Sequence, residues 1–332
     1  MSETPRTPVT PGTPRTPDSS APRLPERRKN RAPLIVGGAL AAAAGLVAAT
    51  LVVVNLSDAS SSEAAADGAE PTVVRIGVSD ESLPYWAILQ EKAADENITI
   101  ETVNFTDYLQ PNPALADDQV DLNAFQHLRF LAQHRVDTGD DLVPIASTII
   151  VPLGLYSERW ESVDEIPEGG EIAIPNDPSN QARALFVLEA AGLVTLTGDE
   201  FAPTPADIDT EASRVSVITV DAAQTALSLP SVDGSIINNN FAKDADIDPN
   251  SAIFADDPSS AGAQPYINLI VARADEADDP VFERVAELYH DPEVLDSVVE
   301  SSEGTAVVVE GFSVEDLRDL LAEIETEITA EG

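Results

Sequence analysis

The chain has 332 residues and a formal net charge of −41, with 59 Asp and Glu, 18 Lys and Arg, and no cysteine. This length is sufficient for two packed lobes with a sizeable core, and the lack of cysteine excludes disulfides, thiolate nucleophiles and cysteine-based zinc sites. Residues 57–332 hold 56 of the acidic residues against eleven basic ones, so we expect neither nucleic acid nor an anionic lipid surface as a partner.

The N-terminal part differs from the rest in composition. Residues 1–31 are rich in Pro, Thr, Ser and Arg and are predicted to be a disordered cytoplasmic segment. Residues 32–54 carry no charge, and about 20 apolar residues suffice to cross a bilayer. Basic residues immediately precede this run, which keeps the N-terminus cytoplasmic. We therefore predict a transmembrane signal anchor over 32–56, a flexible linker over 57–71 and an extracytoplasmic body; a cleaved signal peptide is the alternative.

Beyond the linker, short apolar runs alternate with segments of helical periodicity. The predicted strands cover residues 73–78, 98–103, 142–148, 171–174, 215–219, 235–237 and 266–271. The predicted helices cover residues 85–96, 128–136, 180–191, 280–290 and 313–328. This alternation indicates an α/β protein with mostly parallel sheets. The sequence has no dinucleotide-binding, P-loop or nucleophile-elbow motif.

Two segments of the first third of the chain combine aromatic and amide residues. Residues 105–116 read FTDYLQPNPALA, and residues 121–127 read DLNAFQH. Both lie at junctions between a loop and a regular element, where a small apolar ligand with polar ends can be held. These segments resemble the signature of the NlpA/MetQ-type lipoproteins, the methionine-binding receptors of bacterial ABC importers. The similarity recurs at residues 175–183 and 265–271 and extends over about residues 72–310.

The resemblance implies a particular domain organisation. Proteins of this family have two α/β lobes with a ligand cleft between them, the type II periplasmic-binding-protein fold. The chain is then expected to cross to the second lobe near Pro152 and to return near Pro265. The first lobe would hold residues 72–151 and 265–332, and the second would hold residues 152–264. Members of the family usually carry a lipid on an N-terminal cysteine, a residue that this sequence lacks.

Arg183 is the first candidate for binding a ligand. Asp177 and Ser179 are suitable caps for a helix that begins near them, which places Arg183 in its early turns. The free N–H groups of a helix start and a guanidinium together suit a carboxylate. An ordinary ion pair is the alternative, since acidic residues are plentiful. The resemblance implies that Arg183 holds the carboxylate of an amino acid.

Asn238 and Asn268 lie next to or within apolar runs, where an amide is costly unless it is hydrogen-bonded. Such an amide either bonds to neighbouring backbone or lines a polar site. The resemblance implies that both asparagines bind the amino and carboxylate ends of the ligand. Asn239 is the alternative to Asn238, because the local sequence is Asn-Asn-Asn.

Four further residues complete the site that the resemblance implies. Tyr108, Phe125, His127 and Phe130 would surround the ligand side chain, and aromatic rings suit a thioether because sulfur–aromatic contacts are favourable. Without the resemblance, Phe125 and Phe130 are more typical of a core, and His127 is more typical of a structural histidine. The segment 79–86 departs from the family, and its Tyr85 and Trp86 either cap the cleft or pack against the sheet.

The leading hypothesis is an extracytoplasmic receptor, not an enzyme, that closes around methionine or a similar apolar amino acid. It would deliver this ligand to the permease and ATPase subunits of an ABC importer, without a cofactor or a metal. A metal-dependent hydrolase using His127 and His134 is one alternative, although no third ligand is evident. A signalling ectodomain is another, although the N-terminal segment contains no folded output domain.

Overall fold

The structure is a computed structural model that describes residues 70–198 and 201–331. The predicted cytoplasmic segment 1–31, the predicted transmembrane anchor 32–56 and almost all of the linker lie outside these residues. Among the helices of the described ranges, none has the length and apolar character needed to cross a membrane.

The strands are short, and several contain only two or three residues. In chain order they are β1 (Thr72–Val78), β2 (Ile98–Asn104), β3 (Leu122–Asn123), β4 (Leu142–Ser147), β5 (Ile149–Ile150), β6 (Gly154–Tyr156), β7 (Gly170–Pro175), β8 (Val215–Val220), β9 (Gly234–Ile237), β10 (Phe254–Ala255), β11 (Leu269–Arg273) and β12 (Val307–Val308). Each strand predicted from the sequence is present, but β11 begins three residues later than expected, because residues 261–266 form a 3₁₀ helix.

The helices lie between these strands and after the last of them. They are α1 (Pro84–Ala94), α2 (Pro111–Ala116), α3 (Leu128–Thr138), α4 (Pro178–Ala190), α5 (Thr225–Ser228), α6 (Asn239–Asp244), α7 (Pro280–Tyr289), α8 (Pro292–Ser301) and α9 (Val314–Glu331). The five helices predicted from the sequence are confirmed. The helix α8 and the short helices α2, α5 and α6 were not predicted from periodicity.

Two five-stranded sheets organise the described chain. The first has the order β2-β1-β3-β11-β4, and the second has the order β10-β6-β9-β7-β8. We call each sheet with its covering helices a lobe. In the first lobe, α1, α7 and α8 cover one face of the sheet and α2, α3 and α9 cover the other. In the second lobe, α4 buries its apolar side chains against the sheet.

The prediction of mostly parallel sheets is wrong in part. The pairs β1–β2, β1–β3, β7–β8 and β7–β9 are parallel, as expected for strands joined through helices. However, β11 runs antiparallel to both β3 and β4, and β6 runs antiparallel to β9 and β10. In each lobe the antiparallel strand follows a segment that comes from the other lobe, and it therefore enters its sheet from the opposite end.

Three helices begin with the same dipeptide, Asp-Pro. Asp177, Asp279 and Asp291 are the N-caps of α4, α7 and α8, and each carboxylate accepts a hydrogen bond from a backbone N–H of the first turn. The proline that follows each aspartate suits the first helical position, where its missing N–H has no intrahelical partner. This local signal fixes the start of α4, and α4 carries Arg183 into the region between the lobes.

The chain crosses between the lobes twice, and the two crossing segments lie side by side. The Thr148 N–H donates to the Asn268 carbonyl, and the Asn268 N–H donates to the Ile149 carbonyl, both at 2.8 Å. A third contact joins Leu153 to the end of β10, because its N–H donates to Asp256 Oδ1 at 2.7 Å. The two connections therefore form a hydrogen-bonded ribbon between the lobes.

The core of the second lobe provides a test of the packing of α4 against its sheet. Leu185 of α4 is fully buried against the sheet, whereas Leu227 of α5 is 70% exposed. We predict that Leu185→Ala lowers the free energy of unfolding by about 2–5 kcal/mol, because it leaves a cavity. The matched change Leu227→Ala is expected to alter it by less than about 0.5 kcal/mol. Urea denaturation measures both values, and equal losses would contradict the assignment of α4 to the core.

Candidate functional site

A cavity lies between the two lobes and is lined by side chains of both. The space among its lining side chains, including the part that is open to solvent, measures about 950 Å³. All seven side chains proposed from the sequence line this cavity: Tyr108, Phe125, His127, Phe130, Arg183, Asn238 and Asn268. The structure therefore brings together residues that are up to 160 positions apart in the sequence.

Three rings of the first lobe form an aromatic wall. The ring centroids of Tyr108 and Phe125 are 6.1 Å apart, those of Tyr108 and Phe130 are 6.1 Å apart, and those of Phe125 and Phe130 are 5.6 Å apart. Phe241 of the second lobe packs on Tyr108 at 4.9 Å. Edge-to-face and tilted contacts of this kind hold rings in fixed orientations. The wall offers an apolar surface with one hydroxyl group.

His127 is the N-cap of α3. Its Nδ1 accepts a hydrogen bond from the Phe130 N–H at 3.1 Å, so the proton of the neutral ring is on Nε2, which lies 3.5 Å from Asn180 Oδ1. Burial, together with the positive charge of Arg183, lowers the pKa of His127 to about 3. The imidazole is consequently neutral at physiological pH, and it fixes the start of a helix as well as lining the cavity.

Arg183 is the cation of the cavity, and only 4% of its surface is exposed. Its Nε donates to Asp256 Oδ2 at 2.7 Å, and Nη2 donates to Asp256 Oδ1 at 3.2 Å and to the Val151 carbonyl at 2.9 Å. The guanidinium lies 4.1 Å from the ring centroid of Tyr266. Within the described residues Nη1 makes no hydrogen bond. The ion pair considered from the sequence is therefore present, and one edge of the guanidinium remains available.

Asn238 presents an unused acceptor at the cavity. Its Nδ2 donates to Asn180 Oδ1 at 2.9 Å, whereas its buried Oδ1 has no hydrogen-bond partner in the described chain. Asn180 is in turn held by Asp177 Oδ1, which accepts from both the backbone N–H and Nδ2 of Asn180. Because a buried acceptor without a partner is costly, the oxygen of Asn238 suits an N–H donor of a ligand.

Asn268 joins the two crossing segments. Its Nδ2 donates to the Ile149 carbonyl at 3.1 Å and is 3.4 Å from the Tyr266 carbonyl. Backbone bonding and a place at the cavity were alternatives in the sequence, and the structure combines them. The side chain lines the cavity while its nitrogen holds the ribbon between the lobes.

Three further amides of the signature segments form a buried network at the site. Asn112 Oδ1 accepts from Asn123 Nδ2 at 2.9 Å and from Gln126 Nε2 at 2.6 Å, and Asn112 Nδ2 donates to Gln126 Oε1 at 2.8 Å. All three residues are at most 2% exposed. Their mutual hydrogen bonds fix the segment that carries Phe125 and His127, and Gln126 itself also lines the cavity.

The segment 79–86 contributes to both core and cavity. Tyr85 and Trp86 are buried in the first lobe, and Tyr85 also reaches the cavity. The Tyr85 hydroxyl donates to Asp80 Oδ2 at 2.7 Å, and Trp86 Nε1 donates to Asp80 Oδ1 at 2.9 Å. Packing against the sheet is therefore the main role of the two rings.

Sequence reasoning missed Asp80, Asn180 and Asn240 as cavity residues. Asn180 lies within the segment 175–183 that carried the family resemblance, so that its position was a usable signal. Asn240 is close to Asn238 in sequence, and it accepts a hydrogen bond from the Tyr108 hydroxyl of the other lobe. No pattern marked Asp80, because its neighbours in the cavity come from distant parts of the chain.

Polar contacts join the rims of the two lobes around the cavity. Lys243 Nζ lies 2.8 Å from Glu303 Oε1, and Asn250 Nδ2 donates to the Glu303 carbonyl at 3.2 Å. On another side, the Arg129 guanidinium lies 4.2 Å from the ring centroid of Phe201 and also donates to the Phe201 carbonyl. The cavity is therefore enclosed by direct contacts between the lobes.

The geometry defines a class of protein, namely one with a cavity for a small ligand between two lobes.

The two histidines of the hydrolase alternative have different partners. His134 pairs with Asp140 at 2.9 Å, whereas His127 faces Asn180. Residues 70–198 and 201–331 contain no cluster of three histidine or acidic side chains arranged to hold a metal ion.

Comparison with known proteins identifies the family. The sequence profile of the NlpA lipoprotein family matches residues 74–310. The chain belongs to the NlpA lipoprotein family, which confirms the resemblance inferred from the signature segments. Its members are substrate-binding proteins of ABC importers and not enzymes, so the hydrolase alternative is discarded.

Individual relatives are similar over most of their length. A protein of Vibrio cholerae named as a probable D-methionine-binding lipoprotein MetQ is 36% identical over 238 residues, which cover 70% of this chain and 87% of the relative. The substrate-binding protein of a methionine transporter from Streptococcus pneumoniae is 37% identical, with a TM-score of 0.67 and coverage of 71% and 95%. A nutrient-binding protein from Burkholderia cenocepacia, solved bound to methionine, is 32% identical, with a TM-score of 0.67 and coverage of 71% and 99%.

The lowered pKa of His127 predicts a pH dependence of stability. Because the unfolded histidine takes up a proton near pH 6.5 and the folded one only near 3, stability falls as the pH decreases through this window. We predict that His127→Gln removes this dependence, which amounts to roughly 2–3 kcal/mol between pH 7 and pH 4. Urea denaturation at the two pH values measures it, with His134→Gln as the control. Equal losses in the wild type and His127→Gln would contradict the prediction.

Proposed function

We propose that this protein is an extracytoplasmic substrate-binding protein of an ABC importer and binds methionine or a related apolar amino acid between its lobes. The observation that carries the proposal is the meeting of Arg183, Asn238 and the aromatic wall in one cavity. An amino acid has a carboxylate, an ammonium group and a side chain, and this cavity has a counterpart for each. The methionine-related relatives support the choice of ligand.

Arg183 and the asparagines bind the polar end of the ligand. The free edge of the guanidinium at Nη1 donates to the carboxylate, and a charge-assisted hydrogen bond is strong where water is excluded. Asn238 Oδ1 accepts from an N–H group of the ligand, which relieves an otherwise unsatisfied buried oxygen. Asn268 adds a third polar side chain to this end of the site, and its hydrogen bond to Ile149 holds it on the ribbon between the lobes.

The aromatic wall and His127 surround the ligand side chain. A thioether is polarisable and makes contacts with ring edges worth about 0.3–1.5 kcal/mol each, which favours methionine over leucine. The neutral state of His127 supports this role, because a charged imidazole beside an apolar side chain would be costly. Phe130 offers no hydroxyl group, so this part of the wall is apolar.

Ligand binding stabilises the closed arrangement of the lobes. Arg183 and Asn238 belong to the second lobe, and the aromatic wall belongs to the first, so a ligand that contacts both sides favours closure. The hydrogen bond between Tyr108 and Asn240 and the ion pair of Lys243 with Glu303 support the same closed state. Opening would release the ligand to the permease and the ATPase-driven transport cycle.

The domain organisation is part of the proposal. We assign residues 72–151 and 265–332 to the first lobe and residues 152–264 to the second, in a type II periplasmic-binding-protein fold. The membership of the strands in the two sheets supports these boundaries. We further propose that residues 32–56 hold the protein in the cell membrane with the N-terminus in the cytoplasm. The uncharged run and the preceding basic cluster support this anchor.

Calorimetric titration tests the proposed function. The protein is unfolded and refolded to remove any bound ligand, and is then titrated with L-methionine, D-methionine and leucine. We predict one-to-one binding of methionine, and at least about 30-fold weaker binding by Arg183→Gln, because a buried charge loses its partner.

Arg159→Gln is the matched control for this experiment. Arg159 lies in the second lobe outside the cavity and pairs with Asp233 at 3.5 Å, so its replacement removes an equal charge. It is expected to bind methionine as the wild type does. The proposal fails if the folded wild type binds none of the three ligands, or if Arg183→Gln binds methionine with unchanged affinity.

A further inference from the structure

The cavity extends beyond the seven residues proposed from the sequence. On the side of the first lobe its lining also includes Asp80, Tyr85, Thr148 and Tyr289, and Ser301 at the end of α8. These side chains bear a carboxylate and several hydroxyl groups. This extension therefore differs in chemistry from the apolar wall, and the binding of an apolar side chain does not account for it.

Asp80 is the acidic group of this extension. Each of its carboxylate oxygens accepts one hydrogen bond, from Tyr85 and from Trp86, and both donors are rigid rings buried in the first lobe. The carboxylate is therefore held in one orientation. A carboxylate oxygen has more than one lone-pair direction, so each retains the capacity to accept a further hydrogen bond.

Among residues 70–198 and 201–331, no cation pairs with this carboxylate. Within the described parts of the chain, Asp80 forms no ion pair with a lysine, arginine or histidine side chain. Burial raises the pKa of the Asp80 carboxyl group, the two hydrogen bonds lower it, and the negative charge of Asp244 raises it further. A partly buried carboxylate next to a second acidic group is costly unless a positive charge comes from elsewhere. The cavity is the open approach to it.

We propose that Asp80 is a specificity-determining residue that binds a primary ammonium group of the ligand, while Arg183 binds the ligand's carboxylate. This inference rests on the proposed function and deepens it, because it makes the cavity selective for zwitterions. The ammonium group comes either from the amino acid itself or from the N-terminus of a short peptide. Tyr85 and Trp86 are positioning residues that aim the carboxylate.

Residues 79–86 gain a role from this proposal. They supply the carboxylate together with both of its hydrogen-bond donors. Replacing Asp80 by asparagine, which has nearly the same shape but no charge, tests the role of this carboxylate. Asp80→Asn can still accept from Trp86 and can donate to the Tyr85 oxygen, so the fold is retained while the charge is lost.

The experiment titrates the full chain with L-methionine, glycyl-L-methionine and N-acetyl-L-methionine, which lacks the ammonium group. L-methionine and glycyl-L-methionine are the two ammonium ligands. We expect Asp80→Asn to weaken the binding of at least one of them by about 30-fold or more, because a desolvated charge pair is lost. N-acetyl-L-methionine is expected to bind the wild type more weakly than the ammonium ligands by a similar factor, and to lose little further affinity in the variant. Thermal unfolding verifies that both proteins are folded.

Glu81→Gln is the matched control. Glu81 is adjacent in sequence and exposed, and it accepts a hydrogen bond from the Thr102 hydroxyl outside the cavity. The substitution Glu81→Gln removes the same charge from the protein, and we expect it to leave the affinities for all three ligands unchanged. If Glu81→Gln weakens binding as much as Asp80→Asn, the effect is one of overall charge and the proposal is wrong.

The outcomes separate this inference from the proposed function. Loss of affinity for glycyl-L-methionine alone supports a peptide N-terminus as the source of the ammonium group, and loss for both ligands supports the amino acid's own group. Unchanged binding of both by Asp80→Asn overturns the role of Asp80 and leaves the receptor function intact. Failure of the wild type to bind either ammonium ligand overturns both proposals.

Discussion

The carboxylate of Asp256 connects the parts of this protein that have to act together. It holds the guanidinium of Arg183 through two hydrogen bonds, and it also accepts from the backbone of Leu153, where the chain has just entered the second lobe. The only strongly buried cation of the cavity is thus fixed, among the described residues, to one end of the connection between the lobes. A movement of that connection and a change at the guanidinium of Arg183 are therefore physically linked.

The surroundings of Arg183 and Asp256 leave part of a positive charge available in a strongly acidic protein. The chain carries −41 formal charges, yet Arg183 is stacked on Tyr266 and lies beside a neutral His127. Asp256 occupies one edge of the guanidinium, and burial reduces the screening that water provides at the other edge. The acidic surface repels anions in general, whereas the cavity offers a short-range attraction to one that fits. Selectivity therefore arises close to the site.

Much of the fold follows from local patterns, and the site follows from them only partly. The strands β1 and β2 and the long helices have clear periodicity, and the Asp-Pro caps mark helix starts. Arg183 and the aromatic wall were recognisable because they lie in segments shared with a family. Asn240 was not, because its partner Tyr108 is distant in sequence. Asp80 was not either: its donors Tyr85 and Trp86 are local, but only the folded chain places it at the cavity. The antiparallel course of β11 also depends on a long-range crossing that no local pattern contains.

The paired crossing segments restrict how the lobes can move. A single connection acts as a swivel, about which two bodies can twist as well as bend. Here the backbone of Asn268 accepts a hydrogen bond from Thr148 and donates one to Ile149, and a twist would shear those bonds whereas bending across the ribbon would preserve them. We therefore expect the proposed opening to proceed by bending across the ribbon. Each closure would then return the same side chains to the same partners, with little loss of orientational entropy when the two halves of the cavity meet.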